Sequence, residues 1–258
     1  MDKLSQTQRH TFILNKLRKE GELKVIDISN ELNVSMVTIR KDLEYLESKK
    51  LLYKTHGRIC VSSPYTQDKH VEEKEFLSAD EKKRIALKAA ELIEPKDAVI
   101  FASGTTILQL AQVVEPKDRL TVLTSALNVA MALLKKDNIE VIQLGGIIRK
   151  TSTSVTGPFA EYILKQFSAS KLFLGVDGID LEYGCTTSNI LEAHVNQHMI
   201  MAAQKTIVLT DSSKFGKRGF GKICDFSDID HIITDSNINP RTAGQIEDAG
   251  VELTIVNI

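Results

Sequence analysis

Apolar residues fall at helical spacing through the first sixty positions of the chain. Residues 9–20, RHTFILNKLRKE, carry Phe12, Ile13, Leu14 and Leu17 in a pattern that predicts a helix, with Gly21 as its C-cap. In VIDISNELNVSMVTIRKDLEYLE (25–47), Val25, Ile28 and Leu32 share one face of a short helix. Asn33-Val34 interrupts it, and Ser35 is a good N-cap for a second helix. There Met36, Ile39, Leu43 and Leu46 lie on one side and must pack inward. Val37, Thr38, Lys41 and Tyr45 then face the opposite way, with Arg40 on the flank. A short helix, a tight turn and a helix with a free basic face describe a helix-turn-helix and its reading helix.

After Lys49-Lys50 the pattern turns extended. LLYKTHGRICV predicts two short strands around a turn at His56-Gly57-Arg58, which makes a wing with a basic tip. Ser35, Val37, Thr38, Arg40 and Lys41 are the candidate DNA contacts of the helix, and Lys54, His56 and Arg58 those of the wing. The wing cations would touch phosphate, which adds affinity without reading sequence. Residues 62–80 are polar, charged and without apolar periodicity, so they are expected to be a linker.

From residue 81 short apolar runs alternate with helical stretches. Strands are predicted at 98–102, 120–124, 140–144, 171–176, 206–210, 231–234 and 252–256. Helices are expected at 81–93, after SGTT toward Val113, and at 126–135, 159–167, 190–202 and 240–248. Continuous apolar strands separated by helices argue for an α/β domain with a mostly parallel sheet covered on both faces. The expected organisation is therefore a winged helix-turn-helix over 1–61, a linker over 62–80 and an α/β domain over 81–258.

Ligands of such sheets sit at the carboxyl ends of the strands, and the polar residues of this chain collect there. Ser103-Gly104-Thr105-Thr106 follows one strand, Ser125 and Asn128 the next, and Gly145-Gly146 with Arg149 the third. Asp177-Gly178 and Asp211-Ser212-Ser213-Lys214 follow two more. In SGTT the glycine admits a close ligand, the hydroxyls donate, and the following helix turns its N–H groups toward an anion. With Arg149 and Lys214 supplying positive charge, a small phosphorylated ligand is the expected guest.

Composition narrows the class. The chain has 258 residues, 42% hydrophobic and 26% charged, ordinary values for a globular protein. No apolar run reaches the roughly 18 residues that span a bilayer, and MDKLSQTQRH lacks the apolar core of a signal peptide, so a cytoplasmic protein is expected, at the nucleoid when bound to an operator. Cys60, Cys185 and Cys224 have neither disulfide-framework nor zinc spacing, and no cofactor is expected. The net charge of −1 hides a basic head: residues 1–60 hold 12 Lys+Arg against 8 Asp+Glu, the remainder 21 against 26. Phosphate contact by the head alone fits that division.

Together these stretches resemble the DeoR family of bacterial sugar-operon repressors over nearly the whole chain. The carriers are VSMVTIRKDLEYLE and THGR in the head, then SGTT, LGG-x-x-R ending at Arg149, GVDGID from Gly175 and DSSKFG from Asp211. The stretch from Gly184 through Glu192 and Asn196 to Met199 looks most like the N-acetylgalactosamine and tagatose operon regulators. The resemblance implies a sensor domain similar in fold to ribose-5-phosphate isomerase, binding phosphorylated sugars through Ser103, Gly104, Thr105, Thr106, Arg149, Asp177, Glu192 and Lys214. It further implies an oligomeric repressor, since two reading heads match a repeated operator. Ala102 stands where the family usually has Asp and Ser125 where Asn is typical, so the usual effector does not carry over. The competing class is an isomerase with a DNA-binding head, in which Asp177, Asp180 or Glu192 would be the base. A third reading makes the α/β domain a dimerisation scaffold.

Overall fold

The computed structural model describes residues 4–49, 51–55, 57–60 and 68–258. The chain divides into two compact units, Met1–Tyr65 and Thr66–Ile258.

In the first unit α1 (Gln6–Glu20) starts on a capping box at Ser5 and ends at Gly21. A short strand β1 (Glu22–Lys24) leads into α2 (Val25–Glu31), and Ser35 caps α3 (Met36–Ser48) by accepting from the Thr38 N–H. The turn between α2 and α3 places Asn33 at φ 50, a left-handed conformation that asparagine tolerates. β2 (Tyr53–Thr55) and β3 (Arg58–Cys60) form the wing, and β1 completes a sheet of order β1-β3-β2. The sequence pattern did not predict β1, a strand of three residues with only Leu23 buried. Ile13, Leu17, Ile28, Ile39, Leu43, Leu46, Leu52 and Ile59 form the core, so the inward stripe of α3 is as its spacing predicts.

The second unit begins with α4 (Val71–Glu75) and α5 (Ala79–Ala90). Residues 68–80, expected as linker, are thus structured here. Their one buried apolar residue before α5 is Val71, too little to leave a periodic signal, and polar contacts hold the rest. Then follow β4 (Ala98–Phe101), α6 (Thr105–Val113), β5 (Leu120–Thr124), α7 (Leu127–Leu133) and β6 (Ile139–Gln143). A hairpin of β7 (Ile147–Arg149) and β8 (Ser154–Thr156) precedes α8 (Pro158–Leu164) and β9 (Ala169–Gly175). The chain continues through β10 (Gly178–Asp180), β11 (Gly184–Thr187), α9 (Ile190–Met201), β12 (Ala203–Leu209), β13 (Gly221–Cys224), β14 (His231–Asp235), α10 (Pro240–Asp248) and β15 (Glu252–Val256).

Seven strands form one parallel sheet of order β15-β14-β12-β9-β4-β5-β6. Alternate residues feed two cores. Val99, Phe101, Phe173, Ile207 and Leu209 pack under α5, α6 and α7, while Ile100, Leu172, Leu174, Val208 and Ile232 pack under α8, α9 and α10. Burial on both faces is why these strands read as unbroken apolar runs. Phe101 meets Phe173 edge to face, with centroids 5.4 Å apart, across the centre of the sheet.

The smaller antiparallel pieces, β7–β8 and the sheet β10-β11-β13, were not predicted. Strands of three or four residues rich in Gly, Thr and Ser carry no alternation for a pattern to find. They stand at the carboxyl side of the large sheet and help wall the site.

Candidate functional site

Strand order reverses direction between β4 and β9. From β4 the chain steps outward through β5 to β6, and from β9 it steps the other way through β12, β14 and β15. Loops leaving the two strands at such a switch diverge and open a crevice. They also start close together. A Cβ on Gly175 would lie 2.9 Å from the Ser103 carbonyl oxygen, and Gly104 takes φ +127 beside the Gly175 Cα. Any side chain at Gly175 would push these two loops apart.

A cavity of about 70 Å³ occupies the crevice over the carboxyl ends of β4, β9 and β12. Ser103, Gly104, Thr105 and Thr106 form one side, at the N-terminus of α6. The helix-terminal N–H groups and these hydroxyls make an anion-binding wall. Lys214, from the 3₁₀ turn after β12, lines the same cavity and makes no salt bridge among the described residues.

Lys82 of α5 also lines the cavity, and the sequence reading missed it. It is buried, and its Nζ donates to the Lys74 carbonyl. Burial pushes its ammonium down to about 8 despite the pull of Asp211; Lys214 and Lys74 push the same way. In EKKRIALKAA a lysine among five charges reads as solvated helix surface, so only the fold reveals it.

The acidic residues Glu192 and Asp177 of the lining are satisfied. Glu192 of α9 is buried and accepts from Arg149 at 3.2 Å, Ser154 at 3.2 Å and Thr187. Asp177 accepts from Lys74 at 2.7 Å, Thr187 at 3.2 Å and the Ser188 N–H at 3.0 Å. Burial alone would raise the Asp177 carboxyl; Lys74, the Ser188 N–H and Lys214 outweigh it and hold it below the usual carboxylate range. Asp180 lies apart from the cavity, bonded to Arg218 at 2.9 Å. Asn196 is 4% exposed, lines the cavity, and its amide has no hydrogen-bond partner among the described residues.

The eight residues expected at the ligand site therefore line one cavity. Ser125, Asn128 and Gly145-Gly146 do not; beyond β6 it is the hairpin β7–β8, with Arg149, Thr151 and Ser152, that reaches the cavity. Ser125 is buried and its carbonyl accepts from the Val155 N–H, a structural bond to the hairpin strand β8.

On the first unit, Val37 stands 63% exposed on α3, and Arg40 and Lys41 are exposed with no ion-pair partner among the described residues. Thr38 is half-buried, with its hydroxyl 3.0 Å from that of Ser35. The wing cations Lys54 and Arg58, expected to meet phosphate, make ion pairs within their own unit. Lys54 pairs with Glu47 at 2.9 Å and Arg58 with Glu22. His56 lies outside the described residues. A contact missed by sequence ties the helices together: buried Asp42 of α3 takes a two-pronged bond from Arg9 at 2.7 and 3.0 Å, and His10 stands 3.1 Å away.

A winged helix-turn-helix followed by an α/β domain with a cationic cavity at its switch point defines a ligand-sensing DNA-binding regulator. Comparison with known proteins sharpens this. The profile described as DeoR-like helix-turn-helix domain matches residues 9–64, and that described as DeoR C terminal sensor domain matches residues 77–236. A protein of Escherichia coli O157:H7 named for transcriptional repression of the aga operon is 38% identical over 97% of this chain and 94% of its own length. A lactose phosphotransferase system repressor of Staphylococcus epidermidis is 33% identical over 92% and 94% respectively. The chain belongs to the DeoR family of transcriptional regulators. A solved D-ribose-5-phosphate isomerase is 16% identical with a TM-score of 0.40, covering 53% of this chain and 54% of that one. That likeness is too slight to bear on activity.

Proposed function

We propose that this regulator represses a carbohydrate-catabolism operon and leaves its operator when a phosphorylated sugar enters the cavity. One observation carries the reading: a single cavity brings together the N-terminus of α6, its hydroxyls, Lys82 and Lys214, which suit an anion, with Asp177, Glu192 and Asn196, which suit hydroxyls. A phosphate suits the first and sugar hydroxyls suit the second. Both carboxylates are already engaged by fixed donors, which suits accepting hydroxyl protons better than abstracting a carbon-bound one. The repressor names of the relatives support the same direction of control. The sugar class would be that of amino-hexose or ketohexose phosphates, from the resemblance of residues 184–199 to regulators of such operons. The working state would be a homo-oligomer on double-stranded operator DNA, since one head covers one half-site.

The test is a thermal shift with sugar phosphates against their unphosphorylated sugars, followed by operator binding. A phosphorylated sugar should stabilise the protein and release DNA, because it must prefer the weak-binding state. Lys214→Ala should bind operator like wild type yet stay bound at ligand concentrations that release wild type. Release at equal concentrations would remove Lys214 from the phosphate site.

A further inference from the structure

The cavity of the ligand-sensing unit is small for the ligand proposed. About 70 Å³ is far below the ~300 Å³ at which small-molecule pockets begin. Five residues of its lining, Asp68, Lys69, Val71, Lys74 and Leu77, come from one segment, the stretch that precedes α5. That segment reaches the very groups assigned to the ligand. The Asp68 carboxylate sits on the Arg149 guanidinium and takes a bond from the Ser188 hydroxyl at 3.2 Å. Lys74 holds Asp177 at 2.7 Å, and the Val71 N–H donates to the Thr151 carbonyl at 2.7 Å.

We infer that Arg149 and Ser188 form an anion subsite which the chain's own Asp68 fills, and that ligand and the 68–77 segment compete for the cavity. The inference rests on the sugar-phosphate reading and gives it a means of regulation. Arg149 is the natural partner for an incoming oxyanion, since its planar fork matches phosphate or carboxylate and Asp68 is the more replaceable of its two carboxylates. Glu192 is buried, whereas Asp68 is 41% exposed. The segment is also lightly held. Val71 is its one buried apolar residue, while Phe76 at 83% exposure and Leu77 at 53% bury little. Polar bonds to cavity residues are its main attachment, and a ligand that takes those bonds removes it. Ser78, at φ 51 between α4 and α5, marks the point at which it would swing.

Release has a direction along the chain. Residues 68–77 follow the DNA-reading unit, so freeing them lengthens the connection by ten residues, each able to span about 3.3 Å. A longer connection lowers the effective concentration of one head beside another on the operator. Ligand binding and head spacing are thereby linked through a contact that only one of the two occupants can make.

The experiment uses the full chain, with inorganic phosphate, galactosamine 6-phosphate, tagatose 6-phosphate and ribose 5-phosphate as probes. Asp68→Asn keeps the size of the side chain and removes the competing charge. It should bind the best probe about fivefold tighter than wild type, the most that an exposed ion pair ordinarily contributes. In wild type, saturating probe should speed trypsin cleavage after Lys69 or Lys74 by at least about fivefold, the same population shift seen from the segment. Equal or weaker binding by Asp68→Asn, or protection of those lysines by the probe, overturns the competition and leaves the sugar-phosphate reading standing. Binding of none of the four probes by either protein overturns both.

Discussion

Arg40 and Lys41 are the positions where the reading helix spends nothing on its own fold. Both are exposed on α3 and unpaired among the described residues. Replacing either with alanine should weaken operator binding by about 1–3 kcal/mol while leaving the melting temperature unchanged. A gel-shift titration checks this, and wild-type affinity in both variants would take α3 out of the interface. Lys82 offers a second test at this scale. Its folded pKa of about 8 lies below the ~10.4 of a free lysine. Charged Lys82 therefore costs stability below pH 8, and stability rises as pH climbs from 8 toward 10.4. Binding runs the opposite way, since a phosphate wants the charge. Affinity for inorganic phosphate should fall by up to about tenfold per pH unit above 8, and Lys82→Met should flatten that slope. Inorganic phosphate is already mostly the dianion above that pH, so its own titration adds little to this slope.

Elements in this chain are held by contacts of two kinds, and only one kind is written in the apolar pattern. The stripe Ile39, Leu43 and Leu46 announces the buried side of α3, and the strand runs announce the doubly covered sheet. Asp42 sits on the same buried side, yet in RKDLEYLE it reads as one more surface charge. Its fork to Arg9 fixes α1 against α3, a partner 33 residues away that no local rule supplies. Asp42→Ala should destabilise the first unit by about 2 kcal/mol, the scale of a lost charged hydrogen bond. Denaturant unfolding monitored by a probe in that unit measures it. Segment 68–77 was illegible for the same reason, since its partners Arg149, Asp177 and Ser188 lie far along the chain. SGTT and DSSKFG, by contrast, could be placed from sequence because each directly follows an apolar strand, and a parallel sheet puts all such points on one edge.

At the scale of the whole molecule, the first unit has a hydrophobic core of its own, from Ile13 to Ile59. A fragment of residues 1–65 should fold and bind DNA, but on the order of 10²-fold more weakly than the full chain, having lost the effective concentration that tethering to a second head provides. Matched titrations at one salt concentration decide it, because every phosphate contact is salt-dependent. Equal affinity would mean that one head suffices.

Asn196 has a consequence for which sugars the molecule ignores. The residue is only 4% exposed, and its amide lines the cavity with no hydrogen-bond partner among the described residues, so its hydrogen-bonding capacity is met by whatever fills the cavity. A ligand that expels water from that corner must offer a donor or acceptor in return. One that presents only carbon and hydrogen there strands a polar group in a dry place, at a cost of about 1–3 kcal/mol. If the cavity takes a phosphorylated sugar as proposed, deoxygenated sugars should be rejected more sharply than oversized ones, because an oversized ring can displace a side chain whereas a missing hydroxyl leaves the amide unpaired.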